Sequence, residues 1–350
     1  MSLTYEEIKQ QYSALLQTYD YMLERRDSIT EFVRAQGKSS VTFIGCGSSY
    51  TLSASAAFSF RLRTGFPASA LAGGDLLLNA DAYAPMLRDT LLITPSRSGS
   101  TSEIVEAVRL LKAQGDEASV PVLALSCVID SALAEIADFT LTLPWAFDHS
   151  VCQTRTVTNL YTANLLLAAF LGDEEDVIAD IGFAIAQGEA YMSRVEASIR
   201  AVSDYGWTNA VILADGELNG LAAEGAIALT EIAKMQAHAY HLLDVRHGPM
   251  VTIGPDTLVI AHLTNQGAEH QRKLMQDIRA RGARVIAFGD ATLTTLQPDV
   301  DLVLTAVSPL ALPAQGIPFL FIPQIVALCS AERQGFNPDQ PDGLTAWVKL

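Results

Sequence analysis

The stretch TLLITPSRSGSTSEIVEAVR, residues 90–109, indicates the fold class. Its first part is a continuous apolar run (91–93), which predicts a buried strand. Its last part has apolar residues at helical spacing, which predicts an amphipathic helix. A buried strand that passes through a short turn into a helix is the repeating unit of a parallel α/β sheet.

The turn in this stretch predicts an anion site. Five hydroxyl residues stand within residues 96–102, more than helix capping needs. The first N–H groups of a helix lack intrahelical partners, and the helix dipole is positive there. Because no P-loop lysine is present, we expect a phosphate carried by a small molecule and not a nucleoside triphosphate. The alternative is an ordinary capped helix, since Ser and Thr are common N-caps.

Length and composition limit the function classes. With 350 residues, 49% of them hydrophobic, we expect two domains. The net charge of −16 argues against nucleic-acid binding. No apolar run approaches the ~20 residues of a membrane helix, and the polar, acidic N-terminus is unlike a signal peptide. The expectation is a cytoplasmic protein without a membrane partner.

Cysteine and metal-ligand patterns are absent from the sequence. The four cysteines show no CxxC spacing, which favours free thiols in a reducing compartment. No cluster of His, Cys, Asp and Glu has metal-ligand spacing. We therefore expect no metal and no cofactor.

The same order of features occurs twice along the chain. FIGCGSSYTLSASAAF (43–58) has a counterpart in ILADGELNGLAAEGAIAL (212–229), which predicts a duplicated domain. Strands are predicted at 41–45, 91–95, 122–125 and 139–143, and again at 210–214, 258–263, 285–288 and 302–306. The predicted segments are an N-terminal helical segment (1–36), a first domain (37–171), a helical linker (172–206), a second domain (207–334) and a C-terminal tail (335–350).

A glycine turn follows the first predicted strand and carries Ser48 and Ser49. Ligands of open parallel sheets collect at the carboxyl ends of adjacent strands. These serines are therefore predicted to face the hydroxyl-rich turn across one pocket. Glycine turns serve packing equally well, so the turn alone is weak support. The second copy has Thr264, Asn265 and Gln266 in place of the hydroxyl cluster, which predicts a different role for that half.

The second half contains EGAIALTEIAKMQAHAYHLLDVRHGPM, residues 224–250. The carboxylates of Glu224 and Glu231 stand at helical spacing, and His247 precedes a Gly-Pro pair. A carboxylate and an imidazole in one pocket can divide proton transfers between carbon and oxygen. The alternative is a pair of solvated glutamates. His238, His241, His262 and His270 are predicted to be structural or exposed.

Lys349 stands near the end of the sequence, in a tail that also carries Trp347 and two prolines. That composition predicts a tail tied down against the protein. A lysine held there can form a Schiff base or contact an anion. The alternative is an ordinary solvated lysine.

Four ordered motifs, GCGSSY, SRSGST, EGAIALTEI…RHGP and NPDQP…VK, resemble the sugar isomerase (SIS) domain family, especially proteins with two such domains in tandem. The isomerase part of glucosamine-6-phosphate synthase, amino-sugar-phosphate deaminase/isomerases and fructosamine-phosphate deglycases share this pattern. The resemblance implies an α/β fold of two tandem flavodoxin-like domains, each with a five-stranded parallel sheet between helices. It also implies a homodimer with active sites shared between subunits.

The resemblance implies a role for each matching residue. The phosphate of the sugar is held by Ser49, Ser96, Ser98 and Thr101, with Arg97 beside them. Ser48 stays a candidate from its place in the glycine turn. Val151 and Gln153 match a segment that lines the sugar pocket.

The same resemblance implies three catalytic residues. Glu231 moves a proton between C1 and C2 of the sugar. His247 assists ring opening and comes from the partner subunit in this family. Lys349 forms a Schiff base with the open-chain sugar.

Two departures from the synthase pattern shape the predicted function. Ala228 stands where that pattern has a lysine one turn before the glutamate, and Lys234 lies on a different helical face. No glutaminase pattern is found in the sequence before the first of these motifs, so we expect no synthesis of amino sugars from glutamine. The predicted activity is deamination or deglycation of a phosphorylated amino sugar or sugar–amine adduct. The alternatives are an aldose–ketose phosphosugar isomerase and a non-catalytic sensor of sugar phosphates.

Overall fold

A computed structural model describes residues 2–113, 120–293 and 300–350, and in these residues two five-stranded parallel sheets are found. The eight strands predicted from sequence are all present, and two further strands join them. The strands of the first sheet are β1 (Ser40–Gly45), β2 (Ala68–Ala72), β3 (Thr90–Ser96), β4 (Val122–Ser126) and β5 (Phe139–Thr142). Those of the second sheet are β6 (Asn209–Leu213), β7 (Gln236–Tyr240), β8 (Thr257–His262), β9 (Arg284–Gly289) and β10 (Leu302–Thr305).

Helices connect and cover these strands. The helices up to residue 186 are α1 (Leu3–Lys9), α2 (Gln11–Glu24), α3 (Arg26–Ala35), α4 (Ser48–Thr64), α5 (Gly73–Leu78), α6 (Ala80–Leu87), α7 (Ser102–Lys112), α8 (Arg155–Leu171) and α9 (Glu175–Ala186). The later helices are α10 (Gly188–Ser203), α11 (Asn219–Ala233), α12 (Ala268–Ala280) and α13 (Leu312–Gln334).

Both sheets are wound in the same way. The strand order is β2-β1-β3-β4-β5 in the first sheet and β7-β6-β8-β9-β10 in the second. All pairings are parallel. This is the flavodoxin-like order, in which the winding reverses between the first and third strands and leaves a crevice at their carboxyl ends. The predicted flavodoxin-like α/β fold is confirmed.

The two strands that the sequence pattern missed, β2 and β7, are edge strands. Their sequences are ASALA and QAHAY, and most of their residues are half-buried or exposed. An edge strand packs on fewer neighbours than a central one, so it needs no run of β-branched or large apolar residues. The alanines of these strands therefore gave no strand signal.

The first sheet is covered on both faces. On one face, Ile44 of β1 and Leu92 of β3 belong to a cluster with Ile104 and Val108 of α7. On the other face α4 and α8 pack against the strands, and the ring of Phe43 lies 6.0 Å from that of Phe60 in α4. Covered faces explain why the strands read as continuous apolar runs.

The second sheet is covered by α12 on one face and by α11 and α13 on the other. The expectation that no apolar run approaches the length of a membrane span is wrong in this half. Helix α13 has 23 residues and a window of mean hydropathy 1.6, and by length and composition alone it could cross a membrane. That window is 94% buried inside the protein. A core helix that is covered all round is apolar all round, which accounts for this composition.

Each sheet belongs to its own compact unit. The first-sheet unit comprises Ser13–His149, Arg155–Ile178 and Thr345–Leu350, and the second-sheet unit comprises residues 2–12, Ser150–Thr154 and Ala179–Leu344. The predicted segments were continuous stretches of sequence, whereas each compact unit also contains short stretches from elsewhere in the chain. The tail segment, Thr345–Leu350, thus belongs with the first sheet.

Candidate functional site

The hydroxyl loop, residues 96–101, joins the central strand β3 to α7. Every residue of β3 is buried, because this strand lies between β1 and β4. Ser96, Arg97 and Ser98 are each less than 7% exposed. The loop therefore lies at the carboxyl end of β3, beside the point where the winding of the sheet reverses.

Two serine hydroxyls of this loop are held by main-chain N–H groups. The Oγ of Ser96 accepts from the N–H of Gly99 at 2.9 Å, and the Oγ of Ser98 accepts from the N–H of Ser100 at 3.1 Å. A hydroxyl that accepts such a bond still has its own hydrogen to donate. Polarisation by the amide makes it a better donor. The loop thus offers two oriented O–H donors, as an anion site requires.

Gly99 allows the loop to turn this closely. Its φ of +58° is unfavourable for other residues, and a Cβ there would lie 2.3 Å from the Oγ of Ser131. The N–H of Leu133 donates to the Gly99 carbonyl at 2.8 Å. The loop is therefore fastened against the 131–133 turn, and only glycine fits at this position.

The N-terminus of α7 differs from an ordinary capped helix. Its N-cap is Thr101, in an extended conformation, and the Thr101 side chain makes no capping hydrogen bond to the described first turn of this helix. The alternative interpretation of the hydroxyl cluster, simple helix capping, predicts such a bond. The Thr101 hydroxyl is therefore available for other contacts at the positive end of the helix dipole.

Ser48 and Ser49 begin α4 and are both buried. Because β1 and β3 are neighbours, the start of α4 and the hydroxyl loop follow adjacent strand ends. Gly45 is required here, since a Cβ at this position would lie 2.4 Å from the main chain of Ser49. The facing of these serines across one pocket stays a prediction.

Cys46, in the same glycine turn, is half-buried. Burial raises the pKa of its thiol, and the nearby carboxylate of Glu103 raises it further. A thiol of this kind is a poor nucleophile at neutral pH. We therefore assign Cys46 a packing role.

The tail segment is hydrogen-bonded to the hydroxyl loop and to the start of α7. The Nη2 of Arg97 donates to the Ala346 carbonyl. The N–H of Ser102 donates to the Val348 carbonyl at 3.4 Å, and the N–H of Leu350 donates to the Oγ of Ser102 at 3.1 Å. Lys349 stands between the last two contacts, with an exposed side chain. These bonds agree with the expectation of a tied-down tail.

In the second-sheet unit, Glu231 lies in the last turn of α11 and is half-buried. Glu224 lies on the same helix and is only 2% exposed, so the two carboxylates have different environments. Lys234 ends the helix in a left-handed conformation, with its Nζ 3.5 Å from the Oδ2 of Asp342. It therefore does not replace the lysine that the synthase pattern has at the position of Ala228.

His247 is exposed and follows the 3₁₀ turn Asp244–Arg246. Its N–H donates to the Asp244 carbonyl at 2.8 Å. Gly248 follows with a φ of +120°, and Pro249 begins another 3₁₀ turn. Main-chain geometry on both sides thus holds an exposed imidazole on a defined loop.

Two of the histidines expected to be structural or exposed have defined partners. The Nδ1 of His241 lies 3.1 Å from Asp215, and the Nε2 of His262 lies 3.0 Å from the Oε1 of Gln315. His262 is 2% exposed, and burial lowers its pKa to about 4. It is therefore a neutral core residue at neutral pH.

Val151 and Gln153 lie in the short piece Ser150–Thr154 of the second-sheet unit. The N–H of Val151 donates to the Asp339 carbonyl at 2.9 Å, and the Asp339 carboxylate accepts from the N–H of Thr4 at 2.7 Å. The Oε1 of Gln153 is buried and has no hydrogen-bond partner among the described residues. An acceptor of this kind suits a ligand hydroxyl.

The predicted site residues thus fall into two groups. The first-sheet unit holds Ser48, Ser49, Ser96, Arg97, Ser98, Thr101 and Lys349, and the second-sheet unit holds Val151, Gln153, Glu231 and His247. Sequence reasoning missed Ser102, whose N–H and hydroxyl both bond to the tail segment. Its place as the last member of the hydroxyl cluster was the available signal.

Comparison with known proteins identifies the family. The SIS domain profile matches residues 36–170 and 205–328. Glutamine–fructose-6-phosphate aminotransferase (isomerizing) of Photorhabdus laumondii is 27% identical over 326 residues, which are 89% of this chain and 51% of that protein. The chain therefore spans about half the length of this relative.

Solved structures share the fold over the whole chain. Tagatose-6-phosphate ketose/aldose isomerase from Escherichia coli superposes with a TM-score of 0.84 at 23% identity, covering 100% of this chain and 96% of that one. Glucosamine-6-phosphate deaminase from Thermotoga maritima superposes with a TM-score of 0.82 at 20% identity, covering 100% of both chains. With a profile match to each of its two sheets, the chain belongs to the SIS domain family.

Proposed function

We propose that the protein is an enzyme that removes nitrogen from a phosphorylated sugar, as an amino-sugar 6-phosphate deaminase/isomerase or a fructosamine 6-phosphate deglycase. Ala228, in place of the synthase lysine, favours nitrogen release over simple isomerisation. One observation carries the phosphosugar part of this proposal. The buried serine hydroxyls of the hydroxyl loop are oriented by main-chain N–H groups at the N-terminus of α7, where the dipole favours a phosphate. The curated relative and the deaminase named above act on related compounds by their names, which supports the substrate class.

Local donors have to offset the charge of the whole chain. The net charge of −16 opposes the approach of a phosphate dianion. At the loop itself, Ser96, Ser98 and Thr101 provide hydroxyls at the N-terminus of α7. In this proposal Lys349, in the same unit, acts on the open-chain sugar and not on the phosphate. Hydrogen bonds to a charged group contribute about 1.5–3 kcal/mol each, so a few of them offset a diffuse repulsion.

Glu231 and His247 divide the proton transfers in this proposal. His247 opens the sugar ring by moving a proton at oxygen. In the deaminase reaction, the Glu231 carboxylate takes the proton from C2 and returns it to C1. The C2 amine thereby becomes an imine, which water hydrolyses to a ketone and ammonia. A deglycase moves the proton from C1 to C2 and releases the amine from C1 in the same way.

The first experiment is a thermal-shift screen with hexose 6-phosphates and their unphosphorylated forms. The panel includes glucosamine, galactosamine, fructose and fructosyl-amino-acid 6-phosphates. Because a ligand that binds only the folded state raises Tm with concentration, we expect shifts with phosphorylated members alone. Absence of any shift with phosphosugars would remove the proposal.

Each stabilising compound is then assayed for release of ammonia or free amine. We expect release with at least one nitrogen-containing sugar phosphate. Interconversion of an aldose and a ketose without release would assign the aldose–ketose isomerase alternative. Stabilisation without any turnover would assign the sensor alternative.

Substitution of Glu231 by Gln tests the proton-transfer role. Glu231→Gln keeps the size and hydrogen-bonding ability of the side chain but removes the base. We expect turnover to fall by at least about 10²-fold, since general acid–base catalysis contributes about that much or more. The thermal shift with the phosphosugar should persist. Loss of that shift in a folded variant would contradict the assigned role. Glu224→Gln, on the same helix, is the matched control.

A further inference from the structure

We propose that Arg97 is a positioning residue that anchors the tail segment against the hydroxyl loop and is not a direct phosphate ligand. Its Nη2 donates to the Ala346 carbonyl, three residues before Lys349. The sequence resemblance placed Arg97 beside the phosphate because of its position in SRSGST. The observed contact assigns at least one of its N–H groups to the tail.

The main chain of Arg97 is also hydrogen-bonded to a neighbouring part of the first-sheet unit. Its carbonyl accepts from the N–H of Cys127 at 3.2 Å, which fastens it to the end of β4. The side chain is also shielded, since Arg97 as a whole is 4% exposed. A guanidinium with so little exposure to water needs hydrogen-bond acceptors from the protein. The Ala346 carbonyl is one acceptor, and the tail contributes to satisfying a buried charge.

Arg97 belongs to a buried charged neighbourhood behind the loop. The Nε of Arg155 lies 3.6 Å from the Oδ1 of Asp148. Burial raises the pKa of the Cys127 thiol, the charge of Asp148 raises it further, and the charges of Arg97 and Arg155 act in the opposite direction. Asp148 is 1% exposed, and its Oδ2 accepts from the N–H of Thr156 at 2.8 Å. A guanidinium with several donors in a fixed plane can serve this neighbourhood and the tail at once.

The anchor also determines what lies at the start of α7. With Ala346 held by Arg97, the carbonyl of Val348 accepts from the N–H of Ser102, and the Oγ of Ser102 accepts from Leu350. Lys349 thus stands between Val348 and Leu350, whose main chain is hydrogen-bonded to Ser102 at the positive end of the helix. An ammonium would not settle at a helix N-terminus by electrostatics alone, since the dipole repels it. The hydrogen bonds of Val348 and Leu350 to Ser102, together with Arg97, hold the main chain of Lys349 there.

Amide hydrogen exchange of the full chain, without ligand, tests the anchor. In Arg97→Gln we expect the amides of Ser102 and Leu350, whose hydrogen bonds join the tail segment to the start of α7, to exchange about tenfold faster or more, because a hydrogen bond from a charged donor that holds the tail is lost. Arg109→Gln, an exposed arginine on α7, should leave tail exchange unchanged. Arg97→Lys should give an intermediate rate, because it retains the charge but has a shorter reach and a single donor centre. Arg97→Lys tests the anchor if Arg97→Gln does not fold. Unchanged tail exchange in folded Arg97→Gln or Arg97→Lys would overturn the proposal.

A second measurement distinguishes the anchor from a phosphate ligand, and this part rests on the proposed function. The affinity of Arg97→Gln for the stabilising phosphosugar should stay within about threefold of the original, while kcat falls because Lys349 is no longer held. A large loss of affinity with normal tail exchange would make Arg97 a phosphate ligand and overturn the inference. If no phosphosugar binds the original protein, the proposed function fails, and the exchange result still decides the anchor.

Discussion

At the residue scale, the serine hydroxyls of the hydroxyl loop work because each has two hydrogen-bonding roles. The Oγ of Ser96 accepts from Gly99 and keeps its own hydrogen for a ligand. Ser100 differs, because its hydroxyl donates to the Ser98 carbonyl at 3.3 Å. The residue type alone, which is the same at both positions, does not separate a ligand-binding serine from a structural one.

Ser96→Ala is therefore expected to weaken phosphosugar binding. Loss of a hydrogen bond to a charged group costs about 1.5–3 kcal/mol, which corresponds to about 10- to 150-fold in Kd. Calorimetric titration with the phosphosugar that gives the largest thermal shift measures this effect. Ser100→Ala is the matched control, with an expected change below about threefold. Equal losses in the two variants would contradict the difference between these hydroxyls.

His262 predicts a pH dependence of stability. Burial lowers its pKa to about 4 in the folded chain, against about 6.5 when unfolded. Between these values the unfolded chain takes up a proton that the folded chain does not, so stability falls as the pH falls. We expect the free energy of unfolding to be about 2 kcal/mol lower at pH 5 than at pH 7 from this residue. Urea unfolding at both pH values measures it.

The control for this pH effect is His262→Gln, which removes the titrating group and keeps a polar side chain beside Gln315. Carboxylates elsewhere titrate in both proteins and cancel in the comparison. The variant should show a smaller loss of stability on acidification than the original protein. The same loss in both would mean that His262 is not the source.

At the scale of the element, the turn from β3 into α7 depends on one glycine. Gly99→Ala introduces both an unfavourable φ and a Cβ 2.3 Å from Ser131. Gly37→Ala is a close control, because Gly37 has a φ of +60°, but a Cβ there would meet none of the described atoms within 4 Å. We expect Gly37→Ala to cost about 1 kcal/mol of unfolding free energy from backbone strain. Gly99→Ala should cost clearly more and also weaken phosphosugar binding.

Denaturant unfolding of the two alanine variants separates strain from close packing. Both variants pay the cost of an unfavourable φ. The difference between their losses of unfolding free energy therefore reports the contact with Ser131. If the two variants lose the same free energy, the 131–133 turn can move away, and the close packing under the hydroxyl loop is not essential.

Elements differ in how much of their structure is visible in the sequence. Central strands such as β3 are buried on both faces, and their apolar runs identify them directly. The edge strands β2 and β7 were recovered only by the family resemblance, which implied five strands in each sheet. Composition is ambiguous for helix α13, because a long apolar helix suits a membrane and a protein core equally.

At the scale of the whole molecule, duplication produced two sheets with one winding and different chemistry. The first sheet ends in the hydroxyl loop at β3, whereas β8 of the second sheet ends in the buried His262. The turn after β3 carries the serine hydroxyls of the hydroxyl loop, whereas the turn after β8 carries Thr264, Asn265 and Gln266. His262 itself packs in the core, with its ring 5.6 Å from the ring of Phe319.

A shared active site is testable at this scale. If a second copy of the chain supplies His247, the Glu231→Gln and His247→Asn variants are each inactive alone. Mixed and reassembled, they form heterodimers in which one of the two sites has both residues intact. We expect recovery of a quarter or so of the original activity at equal mixing, the value that random pairing of protomers gives for sites of this kind. No recovery, with mixed dimers demonstrated by mass, would place both residues in one chain.

Local sequence patterns were enough to predict the α/β class, the duplication, the central strands and the hydroxyl loop. Apolar runs indicate buried strands, and hydroxyl and glycine residues indicate a turn at the start of a helix. The tertiary structure was needed to show which loop hydroxyls accept main-chain N–H groups and that the Thr101 side chain makes no capping hydrogen bond. It also decided that Arg97 holds the Ala346 carbonyl, because residues so far apart in sequence leave no periodic signal and meet only when the chain folds.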